Sequence, residues 1–169
     1  MSKADQEKWD RRYTCRDSRM GDNPRPWLKS IQSSLPAGRQ ALDLAAGEGQ
    51  NAVFLAGLGY QVTAVDISQV GLEKARTRAK RAGLSLTIHK LDLKEQPEFI
   101  KADAWDLIIC FRYLQRDLAA WIEAGLRQDG LAILELPNTR TVERRNRPSK
   151  RLLIEEKELL SWFRKRGTG

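Results

Sequence analysis

The chain has 169 residues, 41% of them hydrophobic, so it can form one domain with a buried core but is too short for two. No apolar run approaches the roughly 20 residues of a membrane-spanning helix, and no signal-type apolar stretch follows the charged start. The formal charge of +8 keeps nucleic acid among the possible partners. We therefore expect a single cytoplasmic domain, residues 1–169, without a membrane partner.

Residues 1–35 are predicted to form a helical segment ahead of the first strand. In the stretch EKWDRRY, Trp9 and Tyr13 are four positions apart and therefore share one face of a helix. Two interpretations of this face stay open. The two rings can pack into the core, or the segment can act as a lid over a bound ligand.

Short apolar runs in the rest of the chain predict strands. They cover residues 41–46, 60–66, 84–91, 105–111 and 130–136. Several are nearly continuous, as is typical of strands covered on both faces, and the segments between them can hold crossover helices. The pattern predicts an α/β fold, a Rossmann-like doubly wound parallel sheet of about five strands with helices on both faces. Its ligand crevice is expected at the carboxyl ends of the strands, where the strand order reverses.

Two of the crossover helices have distinct sequence signals. One begins after Ser68, a candidate N-cap, and ends before Gly83; its basic side chains are expected to form the solvent-exposed face of an amphipathic helix. The other is marked by apolar residues at helical spacing, namely Leu118, Trp121, Ile122 and Leu126.

A basic segment follows the last predicted strand. Residues 139–151 carry more than half of the net positive charge, contain Pro148 and have no apolar period, so they are predicted to form a loop. A solvated loop, a flap that faces an anion and a contact with nucleic acid are all compatible with this composition.

The stretch ALDLAAGEGQNA carries the strongest indication of a ligand. Gly47 to Ala52 match the G-x-G-x-x-A pattern of dinucleotide sites, and Asp66 follows at about the separation expected of a ribose-binding acid. A nicotinamide cofactor is one interpretation. Asp43 argues against a nicotinamide cofactor, because a second carboxylate is unfavourable near a pyrophosphate. A carboxylate at this position suits a ligand with an ammonium group.

S-adenosylmethionine is such a ligand, since it has an amine, two ribose hydroxyls and no phosphate. Asp43 can bind the amine, Asp66 can accept bonds from the ribose hydroxyls, and Ala45, Gly47 and Gly49 let the backbone approach the ligand. Ala45 meets this requirement if its φ is negative. Glu48, in the same turn, is expected to face solvent.

These residues resemble motif I through the second strand of class I S-adenosylmethionine-dependent methyltransferases. The resemblance spans about residues 7–138 and is closest to the small bacterial tellurite-resistance type. The usual wording is D-L-G-C-G-x-G-R-N, and this chain departs from it at Ala45 and Gln50. The resemblance implies that the cofactor is bound by Asp43, Ala45, Gly47, Gly49, Asn51, Asp66, Ile67, Asp92, Leu93 and Phe111, with Asp92 facing the adenine amino group. It further implies that Arg112 and Tyr113 line the acceptor pocket and that Trp9 and Tyr13 belong to the lid.

Structural roles compete with several of these assignments. Asp66 and Asp92 can each be a strand-end or helix-cap carboxylate. His89 is interpreted as a structural strand residue and Cys110 as a buried thiol, and no metal set can be built around either. The second cysteine, Cys15, is far from Cys110 in the sequence, so we expect no disulfide and a reducing compartment.

We therefore predict an S-adenosylmethionine-dependent methyltransferase that acts on a small molecule, which Arg112 and the basic loop suggest is anionic. Methyl transfer needs alignment more than acid–base groups, so no catalytic residue is assigned, although Tyr113 can assist if the acceptor must lose a proton. The alternatives are a cofactor-binding protein with weak or lost activity, a nicotinamide-dependent oxidoreductase and a nucleic-acid-binding methyltransferase.

The family resemblance also sets an expectation for the sheet edge. Family members continue into two further strands that form an antiparallel hairpin, and we expect this hairpin to be missing. The fifth strand would then lie at an exposed edge, covered by a second copy of the chain in a homodimer or by a final helix with Leu159, Leu160 and Phe163 on one face.

Overall fold

The computed structural model describes residues 3–14 and 21–136. The helices are α1 (Lys3–Thr14), α2 (Pro26–Ser30), α3 (Gln50–Gly57), α4 (Gln69–Arg81) and α5 (Leu118–Gly125). The strands are β1 (Gln40–Leu44), β2 (Gln61–Asp66), β3 (Thr87–Lys90), β4 (Trp105–Phe111) and β5 (Leu126–Glu135). The predicted basic loop, the predicted final helix and Cys15 lie outside the described residues.

The five strands form one sheet in the order β3-β2-β1-β4-β5, and every neighbouring pair is parallel. The central strand β1 pairs with β2 on one side and β4 on the other, so that Asp43 lies between Ala64 and Ile109. The chain winds outward from β1 in both directions, which confirms the predicted doubly wound sheet. The order reverses between β1 and β4, where such sheets open a ligand crevice at the carboxyl ends of their strands.

Alternate residues of the strands face two separate apolar layers. Ala41 and Val62 join one cluster together with Leu28 of α2, Leu55 of α3 and Leu72 of α4. On the opposite face, another cluster is formed by Leu42, Leu44 and Val65 with Leu118 and Ile122 of α5. Helices therefore cover both faces, as the nearly continuous apolar strands predicted.

The start of the fifth strand differs from the prediction. It begins at Leu126, not at Gly130, and Leu126 pairs with Trp105 although its spacing indicated a helix. The helix ends one residue earlier, at Gly125, where an added Cβ would lie 2.7 Å from the Cγ2 of Ile100. This close packing lets the carbonyls of Ala124 and Gly125 accept bonds from residues 103 and 104, which starts the strand pairing at once.

The local expectations at Ser68, Cys110 and His89 are confirmed. Ser68 caps α4, because its Oγ accepts a hydrogen bond from the Gly71 N–H at 3.1 Å. Cys110 is a buried thiol whose pKa is raised to about 12 by burial and by Asp43. His89 lies in β3 with its ring 4.9 Å from that of Phe99. In the part of the chain that the structure describes, no helix is both long and apolar enough to cross a membrane.

Candidate functional site

The turn between β1 and α3 is built from left-handed residues. Ala45 has a φ of 55°, Gly47 of 56° and Gly49 of 76°. The Ala46 N–H donates to the Val65 carbonyl at 2.9 Å, which ties the turn to β2. The condition of a negative φ at Ala45 is therefore not met, because this alanine adopts the conformation for which the related motif uses glycine.

Asp66, the last residue of β2, connects this turn with the next one. Its Oδ2 accepts a hydrogen bond from the Gly47 N–H, and its Oδ1 accepts one from the Ser68 N–H, both at 2.8 Å. The residue is only 7% exposed, and burial raises its pKa while these two N–H groups act in the opposite direction. Asp66 thus positions the β1 and β2 turns relative to each other. Because a carboxylate oxygen can accept more than one hydrogen bond, this structural role leaves acceptor capacity for a ligand.

Asp43 is a buried carboxylate with unused acceptor capacity. It is 2% exposed, and its Oδ2 has no hydrogen-bond partner among the described residues. Burial and then the charge of Asp66 raise its pKa well above the usual value, against a hydrogen bond from the backbone N–H of Ala52. Because burial and the charge of Asp66 destabilise the ionised form of Asp43, a cationic ligand group would stabilise the Asp43 carboxylate.

The N-terminal helix α1 packs directly over the turn. The Tyr13 hydroxyl oxygen lies 2.7 Å from the place that a Cβ on Gly47 would take, and the Tyr13 ring stacks on Trp9 with 5.7 Å between centroids. Asp10 holds the helix in place, because its Oδ1 accepts hydrogen bonds from Ser68 Oγ at 2.5 Å and from the Val70 N–H at 3.4 Å. Sequence reasoning missed Asp10, since nothing local links it to a residue 58 positions away.

The other predicted cofactor residues lie beyond or at the ends of the strands. Asp92, after β3, is half-buried and its Oδ1 accepts a hydrogen bond from the Lys94 N–H at 2.9 Å. Three apolar candidates are buried: Ile67 after β2 is 8%, Leu93 after β3 is 3% and Phe111 at the end of β4 is 9% exposed. All four residues lie at the carboxyl-end edge of the sheet, but Leu93 packs in the cluster with α5 and Phe111 in the cluster with α2, α3 and α4.

Gly49 and Glu48 face helix α4. A Cβ on Gly49 would lie 2.4 Å from the Ala75 Cβ, so this glycine permits close helix packing. Glu48 is 3% exposed and pairs with Lys74 at 3.0 Å, which overturns the expectation that it faces solvent. Its carbonyl accepts a bond from Arg78 Nε at 3.1 Å, so the basic face of α4 is only partly in solvent.

A second polar cluster lies at the ends of β4 and β5. The Arg25 guanidinium forms a two-pronged ion pair with the Glu135 carboxylate, with 3.2 Å between Nε and Oε2. Asn51 places this arginine, because its Oδ1 accepts a hydrogen bond from the Arg25 backbone N–H at 2.9 Å. Arg112 follows β4 with a φ of 62°, and its N–H donates to the Glu135 carbonyl at 2.7 Å. Sequence reasoning missed Arg25 and Glu135, whose separation in the chain gives no signal.

Tyr113 lies next to this cluster. Its hydroxyl donates a hydrogen bond to Gln115 Oε1 at 2.6 Å, and burial, followed by nearby carboxylates, raises its pKa. The phenol therefore stays protonated at neutral pH and is poorly suited to accept a proton from an acceptor. Among the described residues, no group of three His, Cys, Asp or Glu side chains could hold a metal ion.

Three features define the class of fold: a parallel sheet in the order 3-2-1-4-5, a turn of small residues after β1, and carboxylates at the ends of β1 and β2. Together they match the Rossmann-like fold of S-adenosylmethionine-dependent methyltransferases. A family model described as a methyltransferase domain matches residues 41–129, more than half of the chain. The chain therefore belongs to the methyltransferase domain family. The predicted fold class, and S-adenosylmethionine as the cofactor of the family, are confirmed.

Relatives of the chain include proteins named for more than one activity. An uncharacterized methyltransferase, YbaJ of Bacillus subtilis (strain 168), is 30% identical over 138 residues, which cover 79% of this chain and 50% of that protein. The S-adenosyl-L-methionine-dependent Diels-Alderase iliD of Neonectria sp. (strain DH2) is 40% identical over 62 residues, covering 35% of this chain and 25% of that protein. The chain thus spans half the length or less of these two relatives.

A solved structure shares the fold. The S-adenosylmethionine-dependent methyltransferase from Thiobacillus denitrificans, in complex with S-adenosyl-L-homocysteine, superimposes with a TM-score of 0.57 at 21% identity. The match covers 73% of this chain and 55% of that one.

Proposed function

We propose that the chain binds S-adenosylmethionine and transfers its methyl group to a small-molecule acceptor. The observation that carries this proposal is the buried pair of carboxylates at the ends of β1 and β2, with the unpartnered Oδ2 of Asp43. A carboxylate in this position favours a ligand with an ammonium group over a dinucleotide with its pyrophosphate. The bound cofactor would supply an already activated methyl group on a sulfonium.

The residues around the turn would divide the binding between them. Asp43 would receive the amine, Asp66 the ribose hydroxyls and Asp92 the adenine amino group. Apolar walls from Ile67, Leu93 and Phe111 would enclose the base. The small residues Ala45 and Gly47 would let the backbone approach the cofactor. Asn51 would contribute to cofactor binding from the start of α3.

The protein's own contribution to the reaction would be alignment and exclusion of water. Helix α1 supports this role, because Tyr13 already lies over Gly47 and Asp10 fixes the helix to α4. We therefore propose that helix α1, within residues 1–35, is the part that forms a lid, with Trp9 and Tyr13 on its inner face. No side chain is assigned as a general base, since the pKa of Tyr113 is raised.

A second candidate is a protein that binds the same cofactor without transferring its methyl group. The named activity of the Neonectria relative favours it, because that protein is described as an S-adenosyl-L-methionine-dependent Diels-Alderase. Assays that follow the methyl group separate the two candidates. The resemblance to tellurite-resistance enzymes and the nucleic-acid alternative both stay predictions.

Calorimetry tests the cofactor. S-adenosylmethionine and S-adenosylhomocysteine should bind, whereas oxidised and reduced nicotinamide dinucleotides should not; binding of only a dinucleotide would refute the proposal. Asp66→Ala should weaken binding by about 1 to 3 kcal/mol, the scale of lost bonds to a charged acceptor. The control is Glu98→Ala, which removes an exposed carboxylate. A thermal melt of each variant shows that a loss of binding is not a loss of folding.

A further inference from the structure

Gln115 connects the segments that follow β3 and β4. Its Nε2 donates a hydrogen bond to the Leu93 carbonyl at 3.2 Å, and its Oε1 accepts one from the Tyr113 hydroxyl at 2.6 Å. Leu93 belongs to residues 91–96, which we call the β3 segment, and is 22 positions away from Gln115 in the sequence. One partly buried amide therefore joins two loops at the carboxyl-end edge of the sheet.

The amide of Gln115 has only one orientation that satisfies both partners. A carbonyl oxygen accepts but does not donate, so the Leu93 carbonyl requires the Nε2 of Gln115. The Oε1 then faces Tyr113, whose hydroxyl must donate. The phenol keeps its proton at neutral pH, because burial and then the charge of Asp92 raise the pKa of Tyr113. The Tyr113 hydroxyl thus fixes the direction in which the Gln115 amide points.

The hydrogen bond from Gln115 reaches Asp92 through a single peptide group. The Leu93 carbonyl is one side of that group, and the N–H of Lys94 is the other side, which donates to Asp92 Oδ1 at 2.9 Å. Because a peptide group is planar, a bond that fixes its carbonyl also fixes the direction of its N–H. Gln115 therefore orients the donor that positions the Asp92 carboxylate.

The β3 segment is also held at its start. The Leu91 N–H donates to the Asp66 carbonyl at 3.0 Å, which places the segment against the end of β2. Leu91 and Leu93 are 9% and 3% exposed and pack in the cluster that contains Leu118 of α5. The contacts at β2 and the hydrogen bond from Gln115 thus fix the segment from two different parts of the chain.

We infer that Gln115 is a positioning residue that sets how strictly the site selects adenine over other bases, and that Tyr113 supports Gln115 instead of contacting the acceptor. This inference rests on the proposed function, in which Asp92 of the β3 segment receives the adenine amino group. A polar site rejects a base with reversed donors and acceptors only while its own groups are held in place. The hydrogen bonds of Gln115 supply that constraint.

The test compares S-adenosylhomocysteine with S-inosylhomocysteine, in which a carbonyl oxygen replaces the amino group of adenine. Calorimetry with the full chain gives both dissociation constants, and their ratio measures discrimination between the two bases. The parent should bind the adenosine compound at least about tenfold more tightly. Gln115→Glu keeps the acceptor for Tyr113 but loses the donor to Leu93, so it should lower the ratio about fivefold. Tyr113→Phe lets the amide turn and should lower the ratio about twofold to threefold.

Gln61→Glu is the matched control. The Oε1 of Gln61 also accepts a side-chain hydrogen bond, from Gln40 Nε2 at 2.6 Å, but this pair lies at the starts of β1 and β2, the opposite end of the sheet. The change should leave the ratio within about twofold of the parent's, as is usual for surface substitutions. A general loss of stability would weaken the binding of both compounds alike, so a lowered ratio reports positioning and not folding.

Three results would overturn the inference: equal binding of the two compounds by the parent, an unchanged ratio in Gln115→Glu, or equal lowering by Gln115→Glu and Gln61→Glu. An unchanged ratio in Tyr113→Phe would refute the supporting role of Tyr113. If a thermal melt shows that Gln115→Glu does not fold, the ratio in Tyr113→Phe decides. Failure of the proposed function looks different, because S-adenosylhomocysteine would then not bind the parent at all.

Discussion

Ala45 occupies the position at which this chain replaces the glycine of the related motif, and it does so with a φ of 55°. For an alanine this conformation costs roughly 1 to 2 kcal/mol, because the Cβ approaches the following carbonyl. Glycine avoids that cost but loses more backbone entropy on folding. We expect Ala45→Gly to raise the free energy of unfolding by about 0.5 to 1 kcal/mol, measured by urea denaturation.

The control for this prediction is Ala56→Gly inside helix α3, where the conformation is helical. That change should lower the free energy of unfolding by about 0.5 to 1 kcal/mol. If both glycines destabilise the protein equally, the strain at Ala45 is not relieved by glycine and the prediction is wrong.

Asp43 should make stability depend on pH. Burial and Asp66 raise its pKa in the folded state above the ordinary value of 3.8. The folded protein therefore binds the Asp43 proton more tightly than the unfolded chain does. This contribution to stability is complete below about pH 4 and is lost as the pH rises through the raised pKa.

Asp43→Asn removes this titration and keeps the shape of the side chain. We expect its free energy of unfolding to fall less than that of the parent between pH 4 and neutral pH, which a series of urea melts measures. Asp66 titrates with the same sign, so part of the slope remains. Asp117→Asn, which removes an exposed carboxyl, is the control. Identical slopes in the parent and Asp43→Asn would contradict the role assigned to burial.

At the scale of elements, the docking of α1 depends on contacts at the start of α4. Asp10 accepts bonds from Ser68 Oγ and the Val70 N–H, where the positive end of the α4 dipole also favours a carboxylate. Asp10→Ala should weaken docking by about 1 kcal/mol, or roughly fivefold in the undocked population. Hydrogen exchange of residues 3–14 should accelerate accordingly.

Glu7→Ala is the matched control, since Glu7 is an exposed residue of the same helix. It should leave exchange in α1 close to that of the parent. Faster exchange in both variants would indicate loss of helix stability and not loss of docking. The position of Tyr13 over Gly47 adds a second readout, because undocking should also change tryptophan fluorescence through Trp9.

The elements themselves were largely predictable because each depends on local patterns. Apolar runs located β1, β2 and β4 to within about one residue at most ends, and Ser68 marked the start of α4 as expected. The boundary between α5 and β5 was missed, because the carbonyls of Ala124 and Gly125 accept hydrogen bonds from the distant residues 103 and 104, which the periodicity does not show. The same limit applies to Glu48, whose burial depends on Lys74 of a different helix.

At the scale of the whole molecule, β5 forms one edge of the sheet in the described residues. A homodimer through that edge stays a prediction, because pairing with a second chain would satisfy backbone groups that an edge strand leaves open. Light scattering should give twice the mass of one chain, and amides of residues 131–135 should exchange slowly. A monomer whose amides exchange rapidly there would rule out cover by either a second chain or a final helix.

The sequence by itself determined the class of fold, the cofactor expected for it and the residue types of the cofactor turn. These follow from near neighbours: strand and helix periods, the small residues Ala45, Gly47 and Gly49, and carboxylates at strand ends. Only the tertiary structure decided which distant side chains meet around the candidate site, as in the bond of Asp10 to Ser68 and the contact of Arg25 with Glu135. The physical reason is that a parallel sheet brings the ends of strands from different parts of the chain to one edge, and no local pattern records which residues meet there.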